Sequence, residues 1–326
     1  MRMARYLLES RQDGNVRKSE RLFRAIKNPR LFARGSNRLY HRLRRRDRDF
    51  GVAVFEEDWD NLVVLDACRF DMFESRSQLE GTLSSKSSKG SSTVEWLQAN
   101  FNGRDLRDTV YVTANPQLEL NRSGWDITLH DVKNIWLDEG WDDETGTVRA
   151  ETVNEATMEA IEQYPKKRLV VHYMQPHYPF VMSNTEFDKN HLNQLDECNS
   201  QPATENVWNQ KFAGDLNVSR DDLWSMYAAN LEYVLEHVAE LLPHLSGKTV
   251  VTSDHGNYVG ERASPLPIRE YGPPRGLYDE PVVRVPWLEI KNGNRRKIHS
   301  GTALEAEADV QDDIITDRLQ DLGYRQ

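Results

Sequence analysis

Four short β-branched runs constrain this chain more than any other feature: Asn61–Asp66 (NLVVLD), Thr109–Thr113 (TVYVT), Arg168–Tyr173 (RLVVHY) and Thr249–Asp254 (TVVTSD). Each ends in polar residues, as buried strands do. Val285–Ile290 is a fifth candidate. Helical spacing lies between them, over Thr93–Phe101, Ala150–Gln163 and most clearly Ser219–Leu242. In the last, Leu223, Met226, Tyr227, Leu231, Val234, Leu235, Val238 and Leu242 repeat on one side, and Ser219 with Asp222 forms a capping box. Asp309–Leu322 closes the chain, with Gly323 as its C-cap. This order predicts an α/β fold: a mostly parallel central sheet with helices on both faces. Phe180–Leu216 lacks periodicity and reads as a long excursion over the active site.

Charge divides the 326 residues into two parts. Residues 1–50 hold 16 Lys+Arg and 5 Asp+Glu, and the rest hold 26 and 47, so the net charge of −10 hides a basic head on an acidic body. We expect a basic N-terminal extension over residues 1–50 and one α/β domain over residues 51–326. Over residues 15–32 basic side chains alternate with Leu22, Phe23, Ile26 and Leu31, as in a helix with one basic and one short apolar face. Residues 34–48 contain Arg44-Arg45-Arg46. Such a head suits an anionic membrane surface or polymer, a solvated arm, or a clasp on the acidic body. With 12 Lys against 30 Arg and many acids, the composition points to a salt-loving source. In molar salt the Debye length is ~3 Å, which weakens long-range attraction.

The acidic body argues against nucleic-acid binding. No run approaches the ~18 apolar residues of a membrane span. No apolar h-region opens the chain. We therefore expect a cytoplasmic protein, with peripheral contact at the inner membrane face through residues 1–48. Cys68 and Cys198 allow one disulfide but no disulfide scaffold, and the lack of CxxC excludes a cysteine-based zinc site.

Chemistry concentrates at strand ends. Asp66 closes NLVVLD, and Asp254 closes TVVTSD and is followed by His255 and Gly256. Ligands gather at the carboxyl edge of parallel sheets, and a carboxylate there must be hydrated, paired or metal-bound. Two Asp and one His suit one divalent ion: Mn²⁺, Zn²⁺ or Mg²⁺, with Ca²⁺ fitting less well. Alone, each acid reads first as a strand-end cap or ion pair; the two together, with His255 and Gly256, reverse that preference. Ser91, Ser92 and Thr93 stand at a helix start, where orphan N–H groups favour an anion and a metal can activate a hydroxyl. Any one of them also serves as an N-cap. His177 lies just past a strand end and suits donation to an anionic substrate or leaving group. His172, inside the strand, reads as a satisfied core histidine.

VVLDACRFD, the Ser/Thr-rich start at 90–93, HYMQPHYPF and VVTSDHGNYVGE occur in the order of the alkaline-phosphatase-like superfamily. From Asn61 to Ile290 the chain resembles its sulfatase-like and lipoteichoic-acid-synthase-like branch. Tyr227 to Tyr233 resembles the family's long helix, and Gly276–Glu280 with Val285-Pro286-Trp287 its closing strand. The resemblance implies that a metal-bound hydroxyl attacks a phosphate or sulfate ester, forms a covalent intermediate, and is released by water or another alcohol. It implies Asp66, Asp254 and His255 as metal ligands, Ser92 as nucleophile with Ser91 and Thr93 as neighbours, and His177 as a substrate contact.

Three departures matter. The formylglycine signal C-x-P-x-R is absent. Asp126 and His130 have the spacing of a second metal site but come too early. Pro273 and Pro274 stand where a late histidine is expected, and His299 lies beyond the closing strand. These favour one metal. The expected function is a metal-dependent hydrolase or transferase of phosphate or sulfate esters, acting on an anionic ester: a surface glycan, lipid-linked sugar, lipid headgroup or small molecule. Two alternatives stand beside it: a binding protein of the same fold that has lost turnover, and a membrane-surface adaptor acting through its basic arm.

Overall fold

A computed structural model describes residues 29–45, 50–137, 140–183, 207–303 and 312–322. Its centre is a seven-stranded sheet. In chain order the strands are β1 (Asn61–Asp66), β2 (Thr82–Ser87), β3 (Arg104–Thr113), β4 (Ile127–Asn134), β5 (Arg168–Pro176), β6 (Gly247–Thr252) and, after a separate hairpin, β9 (Arg284–Asn292). The hairpin is β7 (Tyr258–Arg262) with β8 (Arg269–Gly272). The sheet order is β2-β9-β6-β1-β5-β3-β4. Strands β6, β1, β5, β3 and β4 are mutually parallel, and β9 runs antiparallel to both its neighbours. The α/β architecture expected from the sequence is present.

Every residue of β1 is buried, and its alternate side chains enter two different cores. Val63 and Leu65 pack with Val110, Val171 and Val251 beneath helices α2 (Phe70–Arg76), α5 (Ala150–Gln163) and α7 (Arg220–Leu241). Leu62 and Val64 pack with Tyr111, Val170 and Val250 beneath α3 (Thr93–Phe101) and α4 (Gln117–Arg122). This double burial explains the continuous apolar runs. In α7, Leu223, Tyr227, Leu231, Val234 and Val238 are buried, each contributing roughly 1.5–3 kcal/mol. Ser219 caps α7 by accepting the Asp222 amide, as its sequence pattern predicts.

Several elements differ from expectation. Strand β6 stops at Thr252 rather than Asp254. There the Ser253 hydroxyl bonds the His255 carbonyl, and Asp254 Oδ1 accepts the His255 amide at 2.8 Å, so side chains take over from the ladder. Strand β2 is largely exposed, and only Leu129 of β4 is buried, so neither carries an apolar run. Helix α1 (Pro29–Arg45) begins near the end of the helix expected over residues 15–32, most of which lies outside the described residues. So do much of Phe180–Leu216, Cys198 and Gly323. After that gap α6 (Val207–Ala213) returns the chain, with Trp208 against Phe180 and Tyr227. The chain closes with α8 (Glu280–Val283) and α9 (Asp312–Asp321). Among the described residues no helix is long and apolar enough to cross a membrane.

Candidate metal and ester site

Register brings the two acids together. Val64 of β1 pairs with Thr252 of β6, so Asp66 and Asp254, each two residues further on, arrive side by side on the face that carries α3. Val64 also pairs with His172 of β5, and His172 with Thr113 of β3. His172 and Asn115, two residues past Thr113, therefore reach the same corner. Asp66, Asp254 and His255 are fully buried, and one ligand atom from each lies within 4.8 Å of the others.

Each ligand is aimed by a different support. Asp254 Oδ1 accepts the amides of Ala67 (3.0 Å) and His255 (2.8 Å). Its Oδ2 is buried, has no hydrogen-bond partner among the described residues, and lies 3.3 Å from His255 Nε2. His255 Nδ1 lies 2.8 Å from the Gly256 carbonyl, which can only accept. Nδ1 therefore carries the proton, and Nε2 presents a lone pair, the tautomer a metal ligand needs. Asp66 Oδ2 accepts the Asn115 amide at 2.6 Å and the Thr93 hydroxyl at 3.3 Å. His172 Nε2 lies 3.8 Å from Asp66 Oδ2, while its Nδ1 bonds the Tyr111 hydroxyl at 2.7 Å.

Two buried carboxylates converging with an imidazole lone pair cost several kcal/mol per charge unless a cation joins them. Two oxygens and one nitrogen fit Mn²⁺, Zn²⁺ or Mg²⁺. Burial raises the Asp254 carboxyl, but His255, His172, the Ala67 amide and the Thr93 hydroxyl outweigh it and hold it below the usual value. Burial lowers His172 and His177 to about 4, so both rest neutral.

The backbone is shaped to this end. Ala67, at φ 60°, takes the left-handed turn that sends its amide to Asp254. Its carbonyl accepts the Tyr227 hydroxyl. Gly256 is required by close approach: a Cβ there would stand 2.2 Å from the Pro281 carbonyl oxygen. Its amide bonds Val282 O at 2.5 Å, tying the site to α8.

The three candidate hydroxyls part company. Ser92, the favoured nucleophile from sequence, takes the N-cap position in extended backbone, and its buried Oγ has no hydrogen-bond partner among the described residues. Ser91 turns away, its hydroxyl donating to Glu95 (2.8 Å) and accepting the Gly276 amide (2.8 Å). Thr93, the first helical residue, places Oγ1 3.3 Å from both Asp66 Oδ2 and His255 Nε2.

His177 is 4% exposed and anchored by its amide to Asp66 O at 3.1 Å. Its Nδ1 donates to the Tyr178 carbonyl, so Nε2 is an acceptor rather than the donor expected. Asn230 of α7 secures this turn: its Nδ2 reaches the carbonyls of Pro176, His177 and Pro179 at 3.0–3.2 Å, and its Oδ1 accepts the Val181 amide.

The remaining candidates lie elsewhere. Asp126 precedes β4 at the amino edge, and His130 bonds Thr302 O. His299 bonds Lys166 O just before β5, also at the amino edge. Cys68 is free, and burial pushes its thiol well up, so it is no nucleophile. Asn115 and His172 are site residues that the sequence reading misses, because strand register brings them to Asp66.

Fold and site together define an α/β protein with a buried Asp-Asp-His cluster at the carboxyl edge of its sheet. No protein-family model matches the sequence, and the comparison with curated proteins found no match. Among solved structures it is similar to the soluble domain of lipooligosaccharide phosphoethanolamine transferase A from Neisseria meningitidis. That likeness has a TM-score of 0.44 and 13% identity, and covers 71% of this chain and 76% of that one. It is also similar to the C-terminal periplasmic domain of a phosphoethanolamine transferase from Campylobacter jejuni (TM-score 0.44, 14% identity, 71% and 78% covered). A third is a lipoteichoic acid synthase from Listeria monocytogenes (TM-score 0.39, 14% identity, 82% and 72% covered).

Proposed function

We propose that this chain is a metal-dependent enzyme of the alkaline-phosphatase-like superfamily that hydrolyses or transfers a phosphate or sulfate ester, with Thr93 as nucleophile. One observation carries the reading: Thr93 Oγ1 sits 3.3 Å from Asp66 Oδ2 and from His255 Nε2, at the amino end of a helix. Asp66, Asp254 and His255 would hold one divalent ion. When bound, such an ion lowers the pKa of a neighbouring hydroxyl and offsets charge on ester oxygens.

The chain's own part is positioning. Asp66 Oδ2 holds the Thr93 hydroxyl hydrogen, and Asn115 fixes that oxygen. The first amides of α3 favour the anion. Thr93 gives up its hydroxyl proton along the hydrogen bond to Asp66 Oδ2, Oγ1 forms a bond to phosphorus or sulfur as the bond to the ester oxygen breaks, and one proton is taken up by the leaving oxygen, which departs as an alcohol. Water or a second alcohol then loses a proton as it bonds to phosphorus or sulfur, and Oγ1 leaves and regains its proton. His177 Nε2 accepts from a substrate hydroxyl.

The test measures bound metal and turnover of p-nitrophenyl phosphate, bis-p-nitrophenyl phosphate and p-nitrophenyl sulfate. Thr93→Ala is expected to lose roughly a thousandfold or more in rate, and Ser92→Ala only a few-fold. The reverse pattern returns the nucleophile to Ser92, and a chain that takes up no divalent ion overturns the reading. One observation favours a second reading, an anion-binding protein without turnover: among the described residues the cluster has three ligands, and His299 lies at the opposite edge. Metal and ester bound without turnover would select it.

A further inference from the structure

Helix α1 is amphipathic the wrong way round for a surface helix, because the stripe it turns to the protein is polar. Arg30 Nη1 donates to Phe212 O at 3.3 Å. The Arg34 guanidinium lies 3.4 Å over the Phe212 ring and pairs with buried Glu270 at 2.5 Å. Asn37, fully buried, exchanges two 2.9 Å hydrogen bonds with the Leu266 backbone. His41 Nε2 lies 3.0 Å from Ser264 O and 3.4 Å from Asp279 Oδ1. These four residues recur at helical spacing and form the docked stripe.

The opposite stripe is apolar and turned outward. Phe32, Leu39 and Leu43 are 61%, 57% and 55% exposed. A surface helix ordinarily buries such a stripe, and a contiguous exposed one marks an interaction surface. Its charge selects the occupant. The helix sequence holds six arginines and no acid, and Arg42, which flanks the stripe, is exposed, as is Arg44 further round the helix. A second copy joined through this stripe would set arginine against arginine. A surface that is both apolar and anionic fits: the interface of a phospholipid bilayer.

We infer that α1 is a membrane-interface anchor. Phe32, Leu39 and Leu43 enter the acyl boundary of an anionic bilayer, while Arg34, Asn37 and His41 fasten the helix to the body. The anchor stands beside the site. The Arg38 stem passes 3.7 Å from where a Gly276 Cβ would lie, and the Gly276 amide bonds Ser91, two residues before Thr93. Insertion carries most of the binding in high salt, where screening removes long-range attraction. Vesicle binding does not depend on ester chemistry, so either reading can fail alone.

The test is flotation of the full chain with phosphatidylglycerol or phosphatidylcholine vesicles, at low and at molar salt. The chain is expected to float with phosphatidylglycerol and much less with phosphatidylcholine. The triple variant Phe32→Ser/Leu39→Ser/Leu43→Ser is expected to lose roughly tenfold or more of this binding at both salts, with its melting temperature unchanged because these side chains are exposed. Arg42→Ala/Arg44→Ala is expected to weaken binding at low salt only. Phe32→Trp is expected to shift its fluorescence to the blue with vesicles. A wild-type chain that floats with neither lipid overturns the inference. So does a triple variant that floats like wild type, or one that only turns a dimer into a monomer.

Discussion

Strand β1 has an aspartate at each end, and the two are treated in opposite ways. Asp60, just before the strand, is 1% exposed; its Oδ2 accepts the Lys248 amide at 2.8 Å and pairs with Arg295, which also grips Asp58. Asp66, the last residue, is 0% exposed and is set among Asn115, Thr93, His172, His255 and a second carboxylate. At the amino end the chain supplies the countercharge itself. At the carboxyl end it supplies more acid and a lone pair, an arrangement that calls for a cation from outside. The same residue type is thus neutralised from within at one end of the strand and gathered with a second acid at the other.

The same substitution at both ends breaks the comparison most directly. Asp66→Asn keeps an acceptor for Asn115 and Thr93 but removes the charge. We expect loss of the bound ion and roughly a thousandfold or more in ester turnover, with the metal-free protein as stable as wild type in chelator. Asn115→Ala loosens one ligand, and titration is expected to show metal affinity about 10–100-fold weaker.

Asp279, at the seam with α1, is a third acid satisfied from within. Burial raises its carboxyl, but hydrogen bonds from His41, Ser264 and Tyr258 outweigh this and hold it at about 2. The folded value lies below the ordinary 3.8, so its contribution is present above that pH and lost as pH falls through about 2. Calorimetry of Asp279→Asn is expected to show a deficit of about 2 kcal/mol near neutrality, closing in acid. Asp60→Asn is expected to cost least, about 1 kcal/mol in denaturant melts, because Arg295 is half exposed, and to leave metal content untouched.

What was legible in the sequence was local. The central strands announce themselves by continuous apolar runs because both their faces are buried. Strands β2 and β4 are edges with one or no buried side, and left no such trace. Asp66, Asp254 and His255 were readable because a polar residue closing an apolar strand needs a reason to be there. That Thr93 rather than Ser92 stands against Asp66 and His255 was not, because it depends on the phase at which α3 starts. Asn115 and His172 reach the site through the register of β3 and β5 against β1, which no local pattern encodes. His172 is buried, as expected, but is not the satisfied histidine expected: its Nε2 has no hydrogen-bond partner among the described residues and stands 3.8 Å from Asp66 Oδ2. The arm is legible in sequence as a basic helix with a short apolar face, but only the structure separates the arginines that dock α1 from those that face outward.

The Asn230 side chain has a consequence for how the molecule breathes. Four hydrogen bonds from one amide staple the turn carrying His177 to the middle of α7. That turn then cannot open on its own, so the Val181 amide should trade its proton for deuterium at the pace of the long helix rather than of a surface loop.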